Sequence, residues 1–187
     1  MNLKKYDGKT VRLTTRDGEV FDGECGFSSA EYCLHEYGRE EDALEIDCYL
    51  FFGSQIKKIE VMTGGEPRLW LGKPLHRMKL DHDAYVKVEN GSKTVELRLN
   101  DEKRRKIEAG DIIRFEDRSD EGEVLFAEVM EKLFFPTFRE LYSSLSLREI
   151  GYTEEEIPRA SPDDMLKYYS EEEQAKYGVV GIRINVM

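Results

Sequence analysis

No stretch of this sequence approaches the roughly 18 consecutive apolar residues of a membrane-spanning helix. Residues Met1 to Gly8 lack the apolar core of a secretory signal, so neither membrane insertion nor export is expected, and the reading is a cytoplasmic protein. Cysteine is scarce. Cys25, Cys33 and Cys48 are odd in number and match no CxxC spacing, which excludes a disulfide framework and a zinc ribbon. Cys33 and His35 stand close together, but no second pair follows and no metal is expected. His35, His76 and His82 lie apart in unlike contexts, and no GxSxG, HExxH, P-loop or dinucleotide fingerprint occurs. No cofactor is expected, and no histidine is assigned a catalytic role.

A basic excess is lacking too. The formal net charge is -11, which argues against a protein that coats nucleic acid without regard to sequence. The distribution says more: residues 1–67 carry 8 basic and 14 acidic side chains, residues 68–106 carry 11 and 6, and residues 107–187 carry 9 and 19. A local positive mouth on an acidic body suits a few phosphates rather than a long duplex. Lys103 to Lys106 also reads as a solvated helical turn paired with nearby carboxylates.

What is present reads as mainly β with α insertions (α+β), in two small β-barrels. Residues 1–62 form the first: Thr10 to Thr15 and Val20 to Phe27 alternate on either side of the turn Arg16-Asp17-Gly18-Glu19. Gly23 and Gly26 suggest a bulge or bend, Ser28 to Asp42 reads as a loop, and Ala43 to Phe52 and Gln55 to Met62 read as the third and fourth strands. The order of these blocks is similar to an Sm-like or SH3-like barrel, although Gly53-Ser54 stands where Sm proteins carry an Arg-Gly pair. Residues 63–77, with three Gly and two Pro, read as a linker from which Leu69-Trp70-Leu71 docks.

Residues 78–187 form the second barrel. Asp83 to Asn90 reads as a helix with Tyr85 and Val88 inward, closed by Gly91. Thr94 to Leu99 then alternates, with Val95, Leu97 and Leu99 on one strand face and Glu96 and Arg98 on the other, expected to look away from the core. Gly110 feeds a strand to Phe115, Arg118 to Gly122 is a hairpin loop, and Glu123 to Phe134 continues the barrel with Phe134 among its bulky residues. Thr137, Ser161 and Ser170 open helices, Gly151 ends a helical piece, and Val179 to Val186 is the last strand.

The blocks Gly91 to Arg98, Asn100 to Arg105, Gly110 to Phe115, Lys167 to Glu173 and Tyr177 to Ile184 resemble the ASCH domain, a small β-barrel related to the PUA domains of RNA-modifying enzymes. The resemblance implies a ligand cleft between the barrel and its inserted helices, with RNA or a modified nucleoside as the ligand. It places Lys93, Glu96 and Arg98 on the cleft wall, with Arg104, Arg105 and Tyr168 as further ligand-binding candidates. Arg can grip a phosphate, Glu can accept from an exocyclic amine, and a tyrosine can carry a stacked base. Some members are similar to amidohydrolases that deacetylate N4-acetylcytidine with a Lys, a Thr three residues on and a Glu from the helical region. Here the catalytic set would be Lys93, Glu96 in place of the Thr, and Glu149; that substitution keeps the enzyme reading second. A third reading is a protein-interaction module with a partner on the acidic N-terminal barrel.

Overall fold

The computed structural model of the protein describes residues 1–47, 49–64, 68–120 and 123–187. Cys48, residues 65–67 of the expected linker and the end of the expected Arg118 to Gly122 loop lie outside the described residues. Two compact units occur, Met1–Leu75 and His76–Met187.

In the first unit a 3₁₀ turn, Lys4–Tyr6, leads into β1 (Thr10–Thr15) and β2 (Val20–Ser28), which pair as an antiparallel hairpin. Gly18, at φ 94°, makes the turn that the Asp-Gly signal predicts. The segment expected as a loop contains a helix instead, α1 (Ala30–Tyr37). Ser29 Oγ accepts the Tyr32 N–H, and Gly38 closes the helix in the left-handed conformation. Its charged composition hid it, because only Cys33 faces inward.

The expected third strand is two: β3 (Ala43–Ile46) and β4 (Tyr49–Phe52), antiparallel about a turn with Asp47 at φ 52°. β5 (Ile56–Val61) returns to β1, giving the strand order β5-β1-β2-β3-β4. Gly23 is needed for close approach rather than for a bulge, since a Cβ there would overlap the Ile46 side chain. β6 (Leu69–Trp70) pairs with β2 and with the start of β7 (Lys73–Leu80). Trp70 is fully buried, its ring edge-on to Phe21 and Tyr49.

In the second unit α2 (His82–Glu89) follows β7 and packs Tyr85 and Val88 into the core. β8 (Val95–Leu99), the short helix α3 (Glu102–Arg105), β9 (Ile112–Asp117) and the long β10 (Val124–Phe135) come next. α4 (Phe138–Ser144) and two 3₁₀ turns, Ile157–Arg159 and Pro162–Lys167, form the helical insert with α5 (Glu171–Tyr177), before β11 (Val179–Val186) closes the sheet in the order β7-β9-β10-β11-β8.

The barrel interior holds Ile113, Phe115, Ala127, Val129, Val180 and Ile182, while a second cluster under the insert holds Val95, Leu97, Leu99, Phe138 and Leu141. Two expectations change here. Phe134 is 58% exposed and supplies no core bulk, and Gly151, at φ 104°, ends a turn rather than a helix.

Candidate functional site

β8 keeps its alternation, but its charged face does not look into solvent. In the β8–β11 pair Glu96 stands opposite Ile182 and Arg98 opposite Val180. Directly opposed residues share a sheet face, and both apolar partners belong to the barrel core. The charged row therefore lies on the inner face at the barrel mouth, and the expectation that it faces away from a core is corrected. Glu96 is only 3% exposed.

Lys93 Nζ lies 2.8 Å from Glu96 Oε2, and Arg98 Nε lies 2.8 Å from Glu96 Oε1. Arg98 Nη2 donates to the Lys79 carbonyl at 2.9 Å, and Nη1 to the Tyr169 hydroxyl at 3.4 Å. Burial by itself would push the Glu96 carboxyl up; the charges of Lys93 and Arg98 outweigh it and hold the group below the usual carboxylate range. Burial likewise works against the Arg98 charge, and Glu96 more than compensates. Such a buried ionic trio gains little stability over an apolar set of equal volume, because desolvation offsets the attraction. The trio lies on the lining of a cleft.

The cleft has a volume of about 420 Å³ and lies within the second unit. Tyr142, Tyr152, Tyr168 and Tyr169 also line it. Tyr152 donates to Asp164 at 2.6 Å and meets the Tyr142 hydroxyl at 2.9 Å; burial first, then these contacts, keep its phenol far above its ordinary range. Tyr168 donates to Asp81 at 2.6 Å, and Arg118 Nη1 holds the other Asp81 oxygen at 2.9 Å. The Tyr168 bond, followed by Arg118, lowers the Asp81 carboxyl. Lys87 pairs with Glu156 at 3.0 Å. Six cations and five carboxylates thus line the cleft, mostly joined in pairs, so that it is close to neutral.

Of the residues singled out from sequence, Lys93, Glu96, Arg98 and Tyr168 come together here. Arg104 and Arg105 are not among the lining residues: Arg104 pairs with Asp101 at 2.9 Å, and Arg105 Nε donates to the Asn100 carbonyl. Glu149 is not among them either. Its carboxylate is bonded to Arg183, and its backbone carbonyl accepts the N–H groups of Thr94 and Val95 at 2.9 Å. Sequence reasoning passed over Glu156, although Thr153-x-x-Glu156 has the form of a capping box and the Thr153 N–H donates to Glu156 Oε2. Nothing local marks Asp81 or Arg118, which only the fold brings to Tyr168.

The family model of the ASCH domain matches residues 78–187, more than half of the chain. The chain belongs to the ASCH domain family. Its ASCH domain, a PUA-like barrel, contains every residue that lines the cleft, and residues 1–77 fall outside the match. A crystal structure of the hypothetical protein PH0355 is 30% identical, with a TM-score of 0.51, and the match covers 60% of this chain and 99% of that one. The solution structure of protein PF0455 from Pyrococcus furiosus is 31% identical, with a TM-score of 0.45, over 60% of this chain and 97% of that one. No curated protein matches the chain. Among the described residues no helix is long and apolar enough to cross a membrane.

Proposed function

We propose that the ASCH cleft recognises one nucleoside, free and modified or as an unpaired residue of RNA, with Lys93, Glu96, Arg98 and Tyr168 as the residues that meet it. The observation that carries this reading is that a buried Lys93–Glu96–Arg98 trio and four tyrosines line one cleft of about 420 Å³. That volume is in the range of small-ligand sites. A nearly neutral lining favours one base and sugar over a polyanionic duplex, whose binding needs a row of unpaired cations. Glu96 is buried with both oxygens occupied, so the wall offers donors from Lys93 and Arg98 to carbonyl oxygens of a base, and Tyr168 supplies a face for stacking.

The hydrolase alternative requires Lys93 to act as a nucleophilic or activating amine. Lys93 Nζ is instead engaged by the Glu96 carboxylate 2.8 Å away, and no hydroxyl stands at position 96. Calorimetric titration with cytidine, N4-acetylcytidine and a short single-stranded RNA, followed by chromatography of the recovered nucleoside, tests both readings. The expected result is binding, recovery of N4-acetylcytidine unchanged, and an affinity loss of about 1–3 kcal/mol in Tyr168→Ala, the usual worth of one stacked base. Deacetylation that disappears in Lys93→Ala would move the assignment to the hydrolase. Absence of binding to all three ligands would overturn the recognition reading.

A further inference from the structure

The first unit carries a surface that the cleft does not use. Helix α1 turns Cys33 inward and leaves Tyr32, Leu34 and Tyr37 outside, each about half exposed. Tyr32 and Tyr37 meet edge to face with ring centroids 6.3 Å apart, and Tyr37 meets Phe52 of β4 in the same manner at 6.5 Å. In the β3–β4 pair Glu45 stands opposite Leu50 and Ala43 opposite Phe52, so Glu45, Leu50 and Phe52 share the sheet face beside these rings. Glu36 precedes Tyr37 in α1, with one carboxylate oxygen 2.6 Å from His35 Nδ1, and partial burial, then Tyr32 and Glu45, hold the Tyr37 hydroxyl above its ordinary range. A contiguous exposed aromatic patch with a polar rim is the usual mark of an interaction surface.

The chain itself shows what this chemistry holds. Arg39 lies over the Phe52 ring, 4.2 Å from its centroid, while its guanidinium pairs with Glu41 at 3.0 Å and donates to Ser54 Oγ at 2.6 Å. A planar, weakly hydrated guanidinium stacks on an aromatic face and bonds a carboxylate at once, which an ammonium does less well. Tyr37, exposed, and Glu45, exposed on the sheet face that also carries Phe52, offer the same two groups on the outside. The excess of 14 acidic over 8 basic residues in positions 1–67 attracts a cationic segment and repels a phosphate backbone.

We propose that this face docks an arginine-bearing cationic peptide segment of a protein partner, with a guanidinium stacked on Tyr37 and paired to Glu45 or Glu36. Fluorescence anisotropy of the full chain with a labelled arginine-rich peptide, a lysine peptide of equal charge and a single-stranded RNA tests this. The arginine peptide is expected to bind more tightly than the lysine peptide. The double variant Tyr32→Ser, Tyr37→Ser, which leaves every charge in place, should weaken it about tenfold, and Arg98→Lys in the cleft should leave it unchanged. Both tyrosines are exposed, so the fold is expected to survive, and thermal melting of the variant verifies that. Equal peptide affinity of the wild type and the double variant would reduce the effect to general charge attraction and overturn the proposal. RNA binding that the double variant weakens as much as it weakens the peptide would overturn it too.

Discussion

Gly151 lies against the aliphatic stem of Lys93: a Cβ on Gly151 would stand 3.1 Å from Lys93 Cδ and 3.3 Å from Cγ. Its φ of 104° is also one that other residues adopt only under strain. The turn after Ile150 therefore sets the direction in which the Lys93 ammonium reaches Glu96. Gly151→Ala should destabilise the domain by about 1–3 kcal/mol, the scale of a residue forced into sparse backbone space. It should also weaken nucleoside binding beyond that loss of folded protein, as calorimetry on the folded fraction would read out. An unchanged denaturation midpoint would show that neither the backbone at position 151 nor the Lys93 stem resists a methyl group there.

Glu96→Gln leaves Lys93 and Arg98 facing each other, each only 11% exposed, with no carboxylate between them. Removing one member of a buried ionic set costs about 3–5 kcal/mol, and urea denaturation at neutral pH should show a loss of that order. The wild type has a matching acid dependence. Glu96 sits below its ordinary value in the folded state, so its contribution is present above the unfolded-state value and is lost as pH falls through the lower, folded one. The difference in stability between wild type and Glu96→Gln should therefore narrow on acidification.

His82 Nδ1 meets Asp117 Oδ2 at 2.6 Å, and Asp117 Oδ1 accepts the N–H and hydroxyl of Ser119 at 2.8 Å. The Asp117 bond raises His82, and the His82 bond lowers Asp117. For His82 the stabilisation is complete below the unfolded histidine value and is lost as pH rises through the raised, folded one. For Asp117 it is present above the unfolded carboxyl value and is lost as pH falls through the lowered one. The pair thus contributes most between the unfolded carboxyl value and the unfolded histidine value, and is lost beyond the two folded ones. His82→Gln should remove the alkaline decline from the stability profile and shrink the acid limb, which the Ser119 bonds to Asp117 still support, measured by thermal melting across pH.

Ser170 caps α5 reciprocally: its hydroxyl accepts the Glu173 N–H at 3.2 Å, and its own N–H donates to Glu173 Oε2 at 2.9 Å. α5 carries the buried Gln174, whose side-chain oxygen accepts the Phe138 N–H at the start of α4. Ser170→Ala should cost about 1 kcal/mol, the usual worth of a cap, seen as a lower urea midpoint with an unchanged slope. Nucleoside affinity should stay the same, because neither Ser170 nor α5 is among the residues that line the cleft.

The local grammar of the chain was legible without a structure. The period-two pattern of Val95 to Leu99, the Asp17-Gly18 turn, the stop at Gly91 and the caps at Thr137, Ser161 and Ser170 each depend on residues within about four positions of one another, and each is present. Helix α1 escaped because a helix that buries one residue has almost no apolar period to read. The ASCH blocks pointed to the family and, through Lys93, Glu96, Arg98 and Tyr168, to part of the cleft lining. What lies behind β8 was beyond any local pattern. Glu96 is buried because β11, some 86 positions along the chain, sets Ile182 beside it. Glu149 is drawn away by Arg183, while Asp81 and Arg118 are drawn to Tyr168. Alternation tells which residues share a face; only the assembled barrel decides whether that face meets water, core or ligand, because burial is a property of what packs on top.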